Sequence, residues 1–371
     1  MPDRLHITGL EGRPHAILVA DGLIETLDGD GPSDAHTIDG TGLSAAPGFI
    51  ELQVNGIGDA DFTADPASIH RGATMLPRHG VTSFLPTIVT SPRGTVEAAL
   101  AALPAAAGPD AAVPLGLHVE GPFISPHRLG AHDPAARRDP DLAEIRDWMG
   151  GGVRMLTLAP ELAGSFQAIE IIAAAGAVAA IGHTDADAAT AARAIDAGAR
   201  YATHLFNAMP PFDHREPGPV GAILADERVT IGLIADGIHV HPLALGAVAR
   251  VAAGRVSLVS DAVASGLGGR ALSHGPDGAR LPDGTLAGGS AGLDLGVRSF
   301  AGVAGRAAAL AAATETPARL LGLDDGRGTL RVGGRADIVL LTGDLDVATT
   351  IVGGRVAFRS PGAAAPAQAP A

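Results

Sequence analysis

The stretch Val178-Ala179-Ala180-Ile181-Gly182-His183-Thr184 runs into an alanine-rich segment and re-emerges as Tyr201-Ala202-Thr203-His204-Leu205. A short apolar run bounded by glycine reads as a strand buried on both faces, and the alanine-rich part between two such runs reads as helix. The same alternation extends in both directions. Six further strand candidates lie at Phe49–Val54, Ser83–Ile88, Pro114–Val119, Val153–Ala159, Thr230–Ala235 and Val256–Val259. With 178–181 and 201–205 they make eight parallel strands separated by helices, which predicts an α/β fold closed as a (β/α)₈ TIM barrel. A chain of 371 residues accommodates one such barrel and a small appendage.

The appendage is expected from the two ends. Ile17-Leu18-Val19-Ala20 meets the turn signal Asp21-Gly22 and then Leu23-Ile24-Glu25-Thr26-Leu27. Asp337-Ile338-Val339-Leu340-Leu341 and 349–356 are strand runs as well. Residues 1–45 plus 325–360 are therefore expected to pair into a small β-sandwich domain around a barrel spanning 46–324. The Ala/Pro tail, 361–371, is expected to be disordered.

Polar residues gather just after the strands, at the barrel end where catalytic groups of this fold lie. They are Gln53 and Asn55, Glu120, His183, His204, Asp236 and His239, and Asp261. One carboxylate and two imidazoles, Glu120, His183 and His204, make a complete protein shell for a catalytic zinc-like ion with a position left for water. A single strand-end histidine is usually only a satisfied polar residue; three such residues on three strand ends are harder to explain by packing. Bound metal lowers the pKa of its water toward about 7 and polarises a carbonyl, both of which amide hydrolysis needs. Asp261 is the candidate acid and base, although an aspartate there could also cap a helix. His118 shares its side of the strand with Glu120 and reads as barrel interior. Gln53-Val54-Asn55 stands where many metal hydrolases of this barrel carry a His-x-His pair, and amides are weak ligands. One divalent ion per subunit is therefore expected: zinc, with iron, manganese and cobalt fitting the same donors.

Composition removes other mechanisms. All 26 basic residues are arginine, which excludes a lysine Schiff base, a Walker A loop and a carbamylated lysine bridging two metals. The absence of cysteine excludes disulfides and thiolate ligands and fits a cytoplasmic location. A net charge of −14 argues against nucleic acid, Met1–Leu10 has no signal pattern, and no apolar run reaches membrane-spanning length.

Taken in order, Pro47–Gly56, Gly116–Phe123, Gly130-Ala131-His132, Gly182-His183-Thr184, Thr203–Met209, Arg215–Gly218, Ile234–His239, Val259–Ala262 and Thr285–Gly288 resemble the N-acetylglucosamine-6-phosphate deacetylases of the amidohydrolase superfamily. The resemblance covers roughly residues 45–325. It implies a metal-dependent deacetylase that converts N-acetyl-D-glucosamine 6-phosphate to glucosamine 6-phosphate and acetate in amino-sugar catabolism or cell-wall recycling. It also implies a homodimer, metal at Glu120, His183 and His204, and acid–base catalysis by Asp261. Substrate contacts would come from Ala131, His132, Asn207, Ala208, Arg215, His239, Leu286, Ala287 and Gly288. Arg215 suits a phosphate because a guanidinium is permanently charged and can fork onto it. One segment departs from the pattern: Gly289-Ser290-Ala291-Gly292 follows Gly288, and its two glycines are expected to loosen the loop over the sugar.

Other readings remain open. Another amidohydrolase could act on a different N-acyl or cyclic amide substrate, or deaminate a purine. Cyclic-amide enzymes usually need the His pair and bridging lysine that are absent here. A non-enzymatic barrel would be expected to have lost part of the Glu120, His183, His204 and Asp261 set.

Overall fold

A computed structural model of the chain describes residues 4–103, 108 and 110–361. The expectation for the tail therefore falls, from residue 362 on, outside the described residues. Eight parallel strands run in chain order around a nearly closed barrel: Phe49–Val54, Val81–Val89, Leu117–Glu120, Val153–Leu158, Val178–Ile181, Tyr201–Ala202, Thr230–Ile234 and Val256–Val259. All eight strands expected from sequence are present. The sixth is shorter than its apolar run, because the chain leaves the strand after Ala202 and His204 adopts φ 29° in the turn that follows. No register pairs the first strand with the eighth. Just beyond the last residues of the eighth strand, Asp261 N–H bonds Gln53 O at 3.0 Å and Asn55 N–H bonds Ala262 O at 2.8 Å, closing the barrel at its site end.

Ile50, Leu52, Leu85, Met155, Ala180, Tyr201, Ile234 and Val259 fill the barrel interior as one buried cluster. The outward faces pack against the helices. Helix Ala188–Ala197 shows how the sequence arranges this. Ala191, Ala194 and Ile195, spaced three and four apart, form its buried stripe. The Asp187 carboxylate accepts the Thr190 N–H at 2.7 Å as N-cap, a contact worth about 1 kcal/mol, and Gly198 ends the helix at φ 124°. Among the described residues no helix is long and apolar enough to cross a membrane.

Two four-stranded sheets come from the ends of the chain. One comprises Arg4–Thr8, Ile17–Ala20, Leu23–Leu27 and His36–Asp39; the other comprises Ser44–Pro47, Ile338–Leu341, Val347–Val352 and Arg355–Arg359. Ile7, Ile17, Val19 and Ile38 of the first meet Ile338, Leu340 and Ile351 of the second in a shared core, as in a sandwich. The Asp21-Gly22 signal is a two-residue hairpin with φ 53° and 78°, matching the turn type that follows strand twist.

A second small β unit was not foreseen from sequence. After the eighth strand, Gly266–Leu267 pairs with Arg270–Ala271, and Ser273–Gly275, Gly278–Arg280 and Leu286–Gly288 form a three-stranded sheet. Its strands are only two or three residues long, too short for an alternating pattern to register.

Candidate active site

The strand ends converge on a cavity of roughly 220 Å³. Its wall contains Glu120, Ala131, His132, His183, His204, Asn207, Ala208, His239, Asp261, Leu286, Ala287 and Gly288, together with Asn55 and Leu267. Arg215 is the one candidate residue that the fold does not bring to this wall. It is exposed, on the loop that follows Pro211, and its own N–H bonds Asp213 at 2.8 Å.

His183, His204 and Asp261 all have positive φ, at 48°, 29° and 49°. Non-glycine residues rarely adopt this region, and here each turns a strand-end side chain toward the barrel axis. The result is a tight, buried group. His204 Nε2 lies 3.0 Å from Glu120 Oε1, His183 Nε2 lies 3.3 Å from the same oxygen, and the two nitrogens are 3.1 Å apart. His132 Nε2 lies 3.7 Å from Glu120 Oε2, and Glu120, His132 and His183 also group within 4.8 Å.

For His183 and His132 the far ring nitrogen bears on where the proton sits. His183 Nδ1 faces the Arg128 carbonyl at 2.9 Å. A carbonyl only accepts, so Nδ1 carries the proton and Nε2 presents a lone pair to the group. His132 is the reverse. The Thr90 hydroxyl stands 2.6 Å from its Nδ1 and the Thr90 backbone N–H donates to the same nitrogen at 3.3 Å; accepting that N–H places the proton of the neutral ring on Nε2. Burial, and then the nearby His183, push the His132 pKa down to about 4, so the ring is neutral and a hydrogen-bond donor toward the cavity. Glu120 and His183 thus stand between two further imidazoles, His204 Nε2 at 3.0 Å and His132 Nε2 at 3.7 Å from the Glu120 carboxylate.

The group suits a positive charge. Burial alone would raise the Glu120 pKa, but the imidazoles of His132, His183 and His204 around it outweigh that and hold the carboxyl well below its ordinary range. Burial likewise disfavours charge on His204, yet the Glu120 carboxylate overrides it and raises that pKa. A carboxylate oxygen and two imidazole nitrogens within 3.3 Å of one another are a donor set for a divalent ion.

The amides of the first strand hold the carboxylates. Gln53 Nε2 donates to Glu120 Oε1 at 2.9 Å and to Asp261 Oδ1 at 3.0 Å; Asn55 Nδ2 donates to Asp261 Oδ1 at 2.8 Å. One oxygen of Asp261 is thus saturated. Burial, reinforced by Glu120, pushes the Asp261 pKa up to about 6. His118 lies beneath, with Nδ1 donating to Leu52 O at 3.1 Å and Nε2 2.7 Å from Thr157 Oγ1. At the far side, His239 Nδ1 donates to Asp236 Oδ2 at 2.7 Å, and Asp236 also accepts the Ile238 and His239 N–H groups.

The glycines after Gly288 do not loosen the loop. Gly289 N–H bonds Asp261 O at 2.8 Å, and a Cβ at Gly289 would stand 2.2 Å from Ser260 O. A Cβ at Gly292 would meet the His79 ring at 2.2 Å. Both glycines are sites of close approach, which the sequence alone presents only as missing side chains.

These features define a barrel hydrolase of the metal-dependent type, and the chain belongs to the amidohydrolase family, whose profile matches residues 45–357. It is 40% identical over 345 residues to the N-acetylglucosamine-6-phosphate deacetylase of Bos taurus, covering 86% of this chain and 84% of that one. The N-acetylglucosamine-6-phosphate deacetylase of Pasteurella multocida superposes with a TM-score of 0.89 at 27% identity, over 95% of this chain and 99% of the other. A mutant of the Mycobacterium smegmatis enzyme, solved in complex with N-acetyl-D-glucosamine-6-phosphate, superposes with a TM-score of 0.85 at 33% identity, over 96% and 99%.

Proposed function

We propose that the protein is a metal-dependent deacetylase that hydrolyses N-acetyl-D-glucosamine 6-phosphate to D-glucosamine 6-phosphate and acetate, in the cytoplasm, as part of amino-sugar catabolism. The observation that carries this reading is the joint placement of Glu120, His183 and His204 beside an amide-anchored Asp261 in one cavity. The names of the relatives supply the substrate.

Glu120, His183 and His204 would hold one divalent ion, which when bound acidifies water and polarises a carbonyl. The residues do the rest. Asp261 accepts the proton of the attacking water as its oxygen bonds to the acetamide carbon. When the C–N bond breaks, Asp261 returns that proton to the departing amine, leaving acetate and the free amino sugar. Gln53 and Asn55 fix one Asp261 oxygen, so the other is the one that shuttles the proton. His132, with its proton on Nε2, donates to a substrate oxygen. The backbone of Ala131 and Ala208, Asn207 and the Leu286-Ala287-Gly288 segment form the walls around the sugar.

The phosphate needs cationic partners, and no arginine lines the cavity. His239, backed by Asp236, is one donor. Arg215 is the other, and since it is exposed beside Phe212, itself 56% exposed, a second copy of the chain in a homodimer supplies it. Two charge-assisted contacts of about 1.5–3 kcal/mol each predict that kcat/KM falls by at least about 10²-fold when the substrate is N-acetylglucosamine without its phosphate. Acetate release from the two sugars side by side measures this; equal rates would discard the sugar-phosphate reading. For the shared site, Arg215→Ala and Asp261→Asn chains, each poorly active alone, are expected to recover activity when mixed under subunit exchange. Absence of recovery in demonstrated mixed dimers would place Arg215 outside the partner's site.

A further inference from the structure

Glu51 lies on the first barrel strand, is 1% exposed, and takes no part in the chemistry described above. Its Oε1 accepts the N–H of Gln53 at 3.0 Å and its Oε2 accepts the N–H of Ser260 at 3.0 Å. The side chain therefore spans the seam between the first and eighth strands, where no register pairs them among the described residues. At Ser260 it stands in for the carbonyl that a regular ladder would provide. A cavity of roughly 110 Å³ bounded by Glu51, Ser260, His79 and Gly292 lies alongside it.

Both residues that Glu51 grips lead directly to the reacting group. Gln53 donates to Asp261 Oδ1, and Ser260 precedes Asp261, whose φ of 49° is held against the preference of an L residue. Burial disfavours an ionised carboxyl at position 51 and pushes its pKa up to about 8. A buried carboxyl is a poor device for stability alone, where an apolar side chain would serve as well or better. Its two short contacts instead fix position, and a misplacement of about 1 Å at a reacting group can cost about 10²-fold in rate.

We propose that Glu51 is a positioning residue that sets the end of the eighth strand against the first and so places Asp261 opposite Glu120. This role rests on Asp261 being the proton-transferring carboxylate. Glu51→Gln keeps the shape but turns one acceptor into a donor facing an N–H. It is expected to lower kcat by about 10–100-fold, with KM, bound metal and melting temperature close to those of the unmodified protein. In an Asp261→Asn background, assayed at high enzyme concentration, the same substitution is expected to cost less than about twofold, because the group it positions is already disabled. Unchanged kcat in Glu51→Gln, or an equal loss in both backgrounds, would overturn the proposal. Should Glu51→Gln not fold, Glu51→Asp, which keeps both acceptors one methylene short, is read by the same cycle. Near-normal turnover in Asp261→Asn alone would overturn the underlying reading of Asp261, a result separate from either Glu51 arm.

Discussion

Asp261→Asn is expected to lower kcat by about 10³–10⁴-fold with bound metal unchanged, the range lost when a general acid–base group is removed. Asparagine has the same size and can keep a partner for the Gln53 and Asn55 amides, so the seam and the Glu120 group should persist. What it loses is the ability to take and return a proton. The pH dependence gives a second readout. The ionised carboxylate is the base, so the rate rises as pH climbs through its pKa. Burial and Glu120 push that pKa up to about 6, and a divalent ion beside it pulls it back, so the rising limb should lie at or below about pH 6. The limb should be missing in Asp261→Asn. A variant within tenfold of the unmodified rate, or one that keeps the limb, removes Asp261 from this role.

His204→Asn and His132→Asn should part company on metal content. Both rings touch Glu120, at 3.0 and 3.7 Å, and proximity alone does not separate them. Their proton positions do. His132 accepts the Thr90 N–H on Nδ1 and must carry its proton on Nε2, which leaves no lone pair for a cation. His204→Asn is therefore expected to lose the ion on dialysis, with turnover falling by several powers of ten. His132→Asn is expected to retain it at about one per chain and to lose activity through weaker substrate placement. Elemental analysis of the two dialysed variants decides. Loss of metal from His132→Asn with retention in His204→Asn would transfer the ligand role to His132.

Much of the fold was legible because its signals are local. Eight short apolar runs separated by alanine-rich stretches are enough to indicate a closed parallel barrel, and Asp21-Gly22 specifies its hairpin by backbone chemistry alone. The sixth strand was read too long because Thr203-His204-Leu205 is apolar enough to continue it, while the turn at His204 is imposed by the site. The small β unit over 266–288 escaped because two-residue strands carry no periodicity. Thr90 and Arg128 were not foreseen as partners of His132 and His183. The Arg128 contact runs through a carbonyl, which every residue type possesses, and Thr90 reaches His132 through its N–H and its hydroxyl from a different segment of the chain.

By itself, then, the sequence determined the barrel, the chemical identity of the groups at its strand ends, and the exclusion of lysine and cysteine chemistry, since residue type and spacing suffice for each. Tertiary structure alone decided which histidine nitrogen faces the centre, which oxygen of Asp261 is free, that Gly289 and Gly292 mark close contacts, and that Arg215 lies away from its own chain's cavity. Those properties depend on distances between segments separated by tens to hundreds of residues. Only the closure of the barrel, pinned at Glu51 and Gln53, brings them within hydrogen-bonding range.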